Sequence, residues 1–208
     1  MIALDLETIP NPNMVSLLPE PTPDARLKDP AKIAASFQKA KAEQVSKMAL
    51  SPFYGTIWSA ALVGDDGTIL LKDATGGEAA LISEVFALIK GHNICTYNGI
   101  SFDLPFLYKR AMQLGVTEVN TPLTAWTKRY QHEPHCDLMQ ILTDWGKEKY
   151  MSLNDAAKLI LGKKKVDFDP TKITEAIEAG EQEKILEYNE QDALLTYEIY
   201  QKVKMYLF

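Results

Sequence analysis

Apolar positions in this chain fall into short blocks whose spacing switches between that of strands and that of helices. Residues 2–6 (Ile-Ala-Leu-Asp-Leu) are short and mostly apolar and run into Thr8-Ile9-Pro10, which predicts a buried strand followed by a break. Prolines at 10, 12, 19, 21, 23 and 30 then predict irregular chain. Asp29-Pro30 reads as a helix start, the acid at the N-cap and the proline at the first helical position. That helix is expected over 31–49, ending before Pro52. Residues 56–63 read as a strand, Asp65-Asp66-Gly67 as a hairpin turn and 68–72 as the returning strand. An amphipathic helix over 79–90 stops at Gly91. A short buried strand over 93–97 closes at Asn98-Gly99, and a helix over 104–114 stops at Gly115. Ser152 caps a helix over 153–161 that ends at Gly162, and a final helix covers 182–206. Strands first, then strands alternating with helices, fit an α/β fold with a mixed central sheet flanked by helices.

Composition narrows this picture. With 208 residues, 46% hydrophobic and 24% charged, the chain has the make-up of a soluble globular protein, and one domain over 1–208 is expected. The proline-rich loop and first helix, at about 10–52, form an insert in that domain. No apolar run approaches the roughly 18 residues of a membrane span, and no basic segment followed by an apolar stretch opens the chain. Cys95 and Cys136 are too few for a disulfide framework and read as buried thiols of a reducing compartment, so a cytoplasmic location is expected. A net charge of −6 argues against tight non-specific nucleic-acid binding but not against an enzyme that must release its substrate. The runs Lys163-Lys164-Lys165 and Lys109-Arg110 fit a solvated surface, and the first also fits contacts to phosphate.

Four acids and a tyrosine change the picture most. Asp5 and Glu7 are two apart on a strand, so both leave the same face. Asp103 falls near a helix N-terminus, where a carboxylate is favoured. Tyr188 and Asp192 are four apart on one helix face. Each alone has an ordinary explanation: a strand end emerging into solvent, a helix cap, an amphipathic helix with one acid. Carboxylates that converge repel one another unless cations lie between them, an arrangement that hydrolyses phosphodiesters. A phenol with an ordinary pKa near 10 is a poor base at neutral pH, so Tyr188 is assigned to orienting water. His132-x-x-His135-Cys136-Asp137 offers ligand types but no second cluster at zinc-finger spacing, and Asp137 also suits a helix cap.

The segments LDLET, YNGISFDLPF and YNEQD, in this order and spacing, resemble the three motifs of the DEDD superfamily of 3′–5′ exonucleases. Tyr188, four before Asp192, matches the tyrosine (DEDDy) branch. More narrowly, the chain is similar to stand-alone predicted 3′–5′ exonucleases related to the proofreading domain of family B DNA polymerases. The resemblance covers most of the chain and implies a ribonuclease-H-like fold. It implies two divalent cations, Mg or Mn, the first held by Asp5, Glu7 and Asp192, the second by Asp5 helped by Asp103. It further implies single-stranded DNA 3′ ends as substrate, nucleoside 5′-monophosphates as products, and Asn98, Phe102, Thr8 and Ile9 beside the terminal nucleotide. RNA ends, or a catalytically silent nucleic-acid-binding module, are the alternatives. Because Phe208 follows the last helix, no polymerase domain is expected in the chain, which would act alone or as a separate subunit, with replication or repair partners unspecified. The insert departs from the superfamily's tight hairpin and reads either as a wall over the single strand or as packing on the sheet edge.

Overall fold

The computed structural model describes residues 1–73 and 77–207, with the backbone alone for Leu207. Phe208 lies outside the described residues. Five strands form one sheet in the order β3-β2-β1-β4-β5: Ile2–Pro10 (β1), Gly55–Gly64 (β2), Gly67–Lys72 (β3), Ile94–Thr96 (β4) and His135–Asp137 (β5). The first three are antiparallel, whereas β4 and β5 run parallel to β1. The helices are Pro30–Met48 (α1), Gly77–Ile89 (α2), Asp103–Leu114 (α3), Leu123–Trp126 (α4), Leu138–Leu142 (α5), Leu153–Ala156 (α6), Ile173–Glu178 (α7) and Gln182–Leu207 (α8). Among the described residues no helix is long and apolar enough to cross a membrane.

Alternation along β1 divides the core. Leu4 and Leu6 join Ile57, Ala60 and Leu62 of β2 under α2 and α3. Ala3 joins Ala61, Val63 and Cys95 under α8, which contributes Ala193, Leu195 and Ile199. A single sheet covered by helices on both faces is the α/β architecture that the pattern predicts. The hairpin closes at Gly64 and Gly67 around Asp65-Asp66, and Asp29 caps α1 by accepting from the amides of Ala31 and Lys32.

Four departures from the sequence reading have physical causes. β1 does not break at Thr8 but continues to Pro10, because Thr8 and Ile9 pair with Ile57 and Thr56. β5, α4, α5 and α7 are three to six residues long, too short to show a period. The helix expected over 153–161 is α-helical only to Ala156 and π-helical over Ala157–Leu161, ending at Gly162 in the left-handed conformation. Finally, β2 carries one residue more than β1 between Glu7 and Thr8: Glu7 sits opposite Ser59, but Thr8 sits opposite Ile57. Trp58 is the extra residue, so Trp58 and Ser59 both turn toward α8.

A buried ion pair locks the opposite layer. Glu78 Oε1 accepts from the Ile57 amide at 2.7 Å and from Arg110 Nε at 2.8 Å, while Arg110 Nη2 meets Glu78 Oε2 at 2.5 Å. Gln113 Nε2 donates to the carbonyl of Pro52 at 2.8 Å, tying the end of the insert to α3.

Candidate active site

β1 supplies two acids to the α8 face. Asp5 and Glu7 share that face with Ala3, and α8 lies over it. Two turns of α8 present Tyr188, Asn189 and Asp192, at the i, i+1 and i+4 spacing of one helix side. One carboxylate oxygen each from Asp5, Glu7 and Asp192 lies within 4.8 Å of the others, and among the described residues this is the one such cluster. Asp103 stands just outside the trio. It is the first residue of α3, and its Oδ1 accepts from the Leu6 amide at 3.1 Å, between the two acids of β1.

The loop leading to Asp103 is built around close contacts. Asn98 has φ 72°, a conformation Asn tolerates better than most residues. Its amide and that of Ile100 donate to the two oxygens of Asp137, at 3.0 and 2.9 Å. Asp137 also caps α5 through the Gln140 amide, so one buried carboxylate holds the 98–102 loop and starts a helix. At Gly99 a Cβ would lie 2.1 Å from Thr96 Oγ1, which the Gly99 amide itself reaches at 3.0 Å. Only glycine permits that approach.

Burial and mutual repulsion raise these acids above the ordinary carboxylate range when no cation is bound. Desolvation, then the nearby Asp192, pushes the Glu7 carboxyl up to about 8. Asp5 is raised well above its ordinary value by burial and then by Asp192, Asp103 and Glu7. Burial takes Asp103 to about 7 and raises Asp192 as well. The phenol of Tyr188 is raised in turn, first by burial and then by Asp192, Glu7 and Asp5.

Two features argue for a cation here. Asp192 Oδ1 is buried and has no hydrogen-bond partner among the described residues, which is costly unless something binds it. The donor set is all carboxylate oxygen, which fits a hard divalent cation such as Mg²⁺ or Mn²⁺ rather than zinc.

Two residues that sequence reasoning did not single out complete the site. Asn189 is fully buried. Its Nδ2 donates to Asp5 Oδ2 at 2.7 Å and to the Asp5 carbonyl at 3.2 Å, and its Oδ1 accepts from Ser59 Oγ at 2.7 Å. Ser59 faces it as the cross-strand partner of Glu7, alternating with Ala61 and Val63 on the α8 side of β2. Lys165 reaches in from the chain before α7: its ammonium pairs with Asp192, donates to the Tyr188 hydroxyl at 2.5 Å and lies 4.0 Å from the centre of that ring. The lysine run therefore divides. Lys163 pairs instead with Glu198 of α8 at 2.6 Å. Phe168 also packs against Tyr188, ring centres 5.1 Å apart.

The remaining candidates make packing and backbone contacts. The Thr8 hydroxyl donates to the Ala49 carbonyl at 2.7 Å, pinning β1 to the end of the insert. Ile9 packs with Trp58, Ile173 and Ile185. Phe102, on the threshold of α3, stacks against Phe106 at 5.5 Å. His135 is buried between Thr96 Oγ1 (2.8 Å) and the Trp126 carbonyl (2.6 Å), and burial lowers it to about 4, so it serves the packing of β4 and β5 as a neutral ring.

Comparison with known proteins now bears on this geometry. The profile of one family, described as a predicted 3'-5' exonuclease related to the exonuclease domain of PolB, matches residues 59–207. A DNA polymerase 1 of Saccharolobus solfataricus is 31% identical over 134 residues, 59% of this chain and 15% of the relative. A DNA polymerase of Archaeoglobus fulgidus is 31% identical over 143 residues, 64% of this chain and 18% of the relative. The chain thus spans less than a fifth of the length of these curated relatives. Among solved structures, the family B DNA polymerase from the hyperthermophilic archaeon Pyrobaculum calidifontis superposes with a TM-score of 0.63 at 17% identity. That superposition covers 98% of this chain and 24% of the polymerase, and it shows a shared, ribonuclease-H-like fold.

Proposed function

The chain belongs to the family of predicted 3′–5′ exonucleases related to the exonuclease domain of PolB, and from that premise we propose that it removes nucleotides from the 3′ ends of single-stranded DNA with two divalent cations. The observation that supports this reading most is the carboxylate trio of Asp5, Glu7 and Asp192, one oxygen of which is buried without a partner.

Asp5, Glu7 and Asp192 would hold one cation, and Asp5 with Asp103 a second. Bound there, Mg²⁺ or Mn²⁺ supplies Lewis-acid stabilisation of the phosphoryl oxygens and a water of lowered pKa. The protein's own residues do the placing. Asn189 fixes the rotamer of Asp5 from behind, with Ser59 holding the amide in turn. The Leu6 amide does the same for Asp103. Tyr188 keeps its proton, since its surroundings raise it further above neutrality, so it orients water and does not remove a proton from it. Lys165, bonded to that phenol and paired with Asp192, sets the direction of the hydroxyl and places a positive charge where a phosphate must approach. Thr8 and Ile9, next after Glu7 on β1, and Asn98 and Phe102, in the loop before Asp103, are assigned to the terminal nucleotide.

The test is digestion of a 5′-labelled single-stranded DNA oligonucleotide with Mg²⁺ or Mn²⁺, beside an RNA of equal sequence, with EDTA and Asp5→Ala controls. A ladder shortening from the 3′ end of DNA, absent in both controls, is expected. Intact DNA with digested RNA would move the substrate to RNA, and two intact strands would sink the exonuclease reading.

A further inference from the structure

The insert between β1 and β2 opens a groove that the fold does not need. It has a volume of about 760 Å³, within the roughly 300–1,000 Å³ of ligand sites. One wall is α1, the other the Pro170–Lys172 turn and the start of α7, and Thr8 and Pro10 lie between them. Thr8 is the next residue of β1 after Glu7, so the groove lies beyond the end of the strand that carries Asp5 and Glu7, and none of the four acids lines it. Its far wall continues back into the segment carrying Lys165 and Phe168, which line the same centre.

The α1 wall is one face of that helix. Gln38, Lys41, Ala42, Val45, Ser46 and Ala49 recur at spacings of three and four. Met48 alone is buried among the 19 residues of α1. A helix this polar, held to the body mainly at its C-terminal end, is not explained by core packing. Its charge is also unlike the chain's. Residues 26–47 hold six basic and two acidic side chains in a protein of net charge −6. Arg26 is taken by Asp24 and Lys39 approaches Glu43, whereas Lys28, Lys32, Lys41 and Lys47 have no ion-pair partner among the described residues.

We propose that this groove holds the nucleotides preceding the 3′ terminus, an inference that rests on the exonuclease reading. Lys41 and Lys47 meet the phosphates along α1. Val45, Leu50 and Pro170 offer apolar surface to the faces of the bases beside that basic edge. Glu175, on the opposite wall, repels phosphate and fixes the polarity of the groove: backbone toward α1, bases toward α7.

Binding is tested apart from turnover by fluorescence anisotropy of a 5′-labelled twelve-residue oligothymidylate in EDTA, from low to high salt, with the wild type and Lys41→Ala/Lys47→Ala. Each lost phosphate contact lowers the slope of log affinity against log salt by about 0.7 on a single strand, so the variant should bind more weakly with a slope smaller by about 1.4. Glu175→Gln should bind more tightly. Equal affinity and slope in wild type and lysine variant would overturn the groove assignment. Hydrolysis of the p-nitrophenyl ester of thymidine 5′-monophosphate, which fills the metal centre alone, is expected to be unchanged in the variant. Loss of that hydrolysis in the variant would place the lysines in the centre and also overturn the groove. Its absence in the wild type would count against the exonuclease chemistry, while the anisotropy still decides the groove.

Discussion

Stripped of divalent cations, this protein should become more stable as the solution is acidified from about pH 8 toward pH 5, the reverse of ordinary acid denaturation. Glu7 moves from 4.5 to about 8 on folding. At about 1.36 kcal/mol for each tenfold change in proton affinity, the folded state binds that proton about 5 kcal/mol more tightly than the unfolded chain. Stability linked to this group is therefore fully present below about pH 4.5 and is lost as the pH rises through about 8. Asp5, Asp103 and Asp192 shift in the same direction. They repel one another, so one proton relieves its neighbours, and the Glu7 figure serves as the scale for the cluster and not as one share of a larger sum. For a chain of this size, about 2–4 °C accompany each kcal/mol, which sets a ceiling of roughly 10–20 °C on the change in midpoint. Thermal unfolding by circular dichroism in EDTA, at half-unit steps between pH 5 and 8.5, measures it. Saturating Mn²⁺ should raise the midpoint at pH 8 and abolish the gain on acidification, because cations and protons compete for the same oxygens. Glu7→Gln in EDTA should be more stable than the wild type at pH 8 and flatter with pH. A midpoint in EDTA that is level or falls between pH 8 and pH 5 would refute the reasoning, for it would mean that the acids are not forced together by the fold.

Three substitutions probe the supports of the site. Asn189→Leu removes the donor to Asp5 and strands the buried Ser59 hydroxyl; activity should fall by about 10–100-fold and the Mn²⁺ concentration for half-maximal rate should rise, as for partners that orient metal ligands. Gly99→Ala drives a methyl to 2.1 Å from Thr96 Oγ1; the loop must shift at a cost of about 1–3 kcal/mol, and exonuclease assays should show a kcat loss larger than the change in unfolding midpoint explains. Arg110→Met leaves Glu78 buried without its cation; chemical denaturation should show a loss of about 3–5 kcal/mol, while Glu78→Leu/Arg110→Met should recover much of it.

The long elements were legible because period and punctuation agree. Asp29-Pro30 begins α1, and Gly115 and Gly162 end their helices in the left-handed conformation, as the residue types require. The elements that escaped are those with no room for a period. β5 has three residues and is defined by its pairing to β4. The bulge at Trp58 left no mark in an apolar run, since a slip of one residue changes which face is used, not how apolar the strand is. Asn189 was hidden for a different reason: its partner Ser59 lies 130 positions away and is brought under α8 only by the pairing of β2 with β1. Lys165 was visible as one of three lysines, but the choice between Lys163, paired on α8, and Lys165, placed at Asp192, is made by the backbone path.

Charge shows where averaging misleads. The net −6 of the chain argues against tight non-specific nucleic-acid binding, yet that sum mixes two populations with different physics. Asp5, Glu7, Asp103 and Asp192 all bind protons more readily than free carboxylates when no cation is present, and bound cations offset their charge, so in either state they project less charge than a count assigns them. Lys32, Lys41 and Lys47 of α1 stand in water with no ion-pair partner among the described residues. An approaching phosphate within a Debye length, roughly 10 Å at 0.1 M salt, responds to the second population before the first. If that is correct, replacing four acids elsewhere on the surface by neutral residues should change single-strand affinity less than removing Lys41 and Lys47, even though it alters the net charge twice as much.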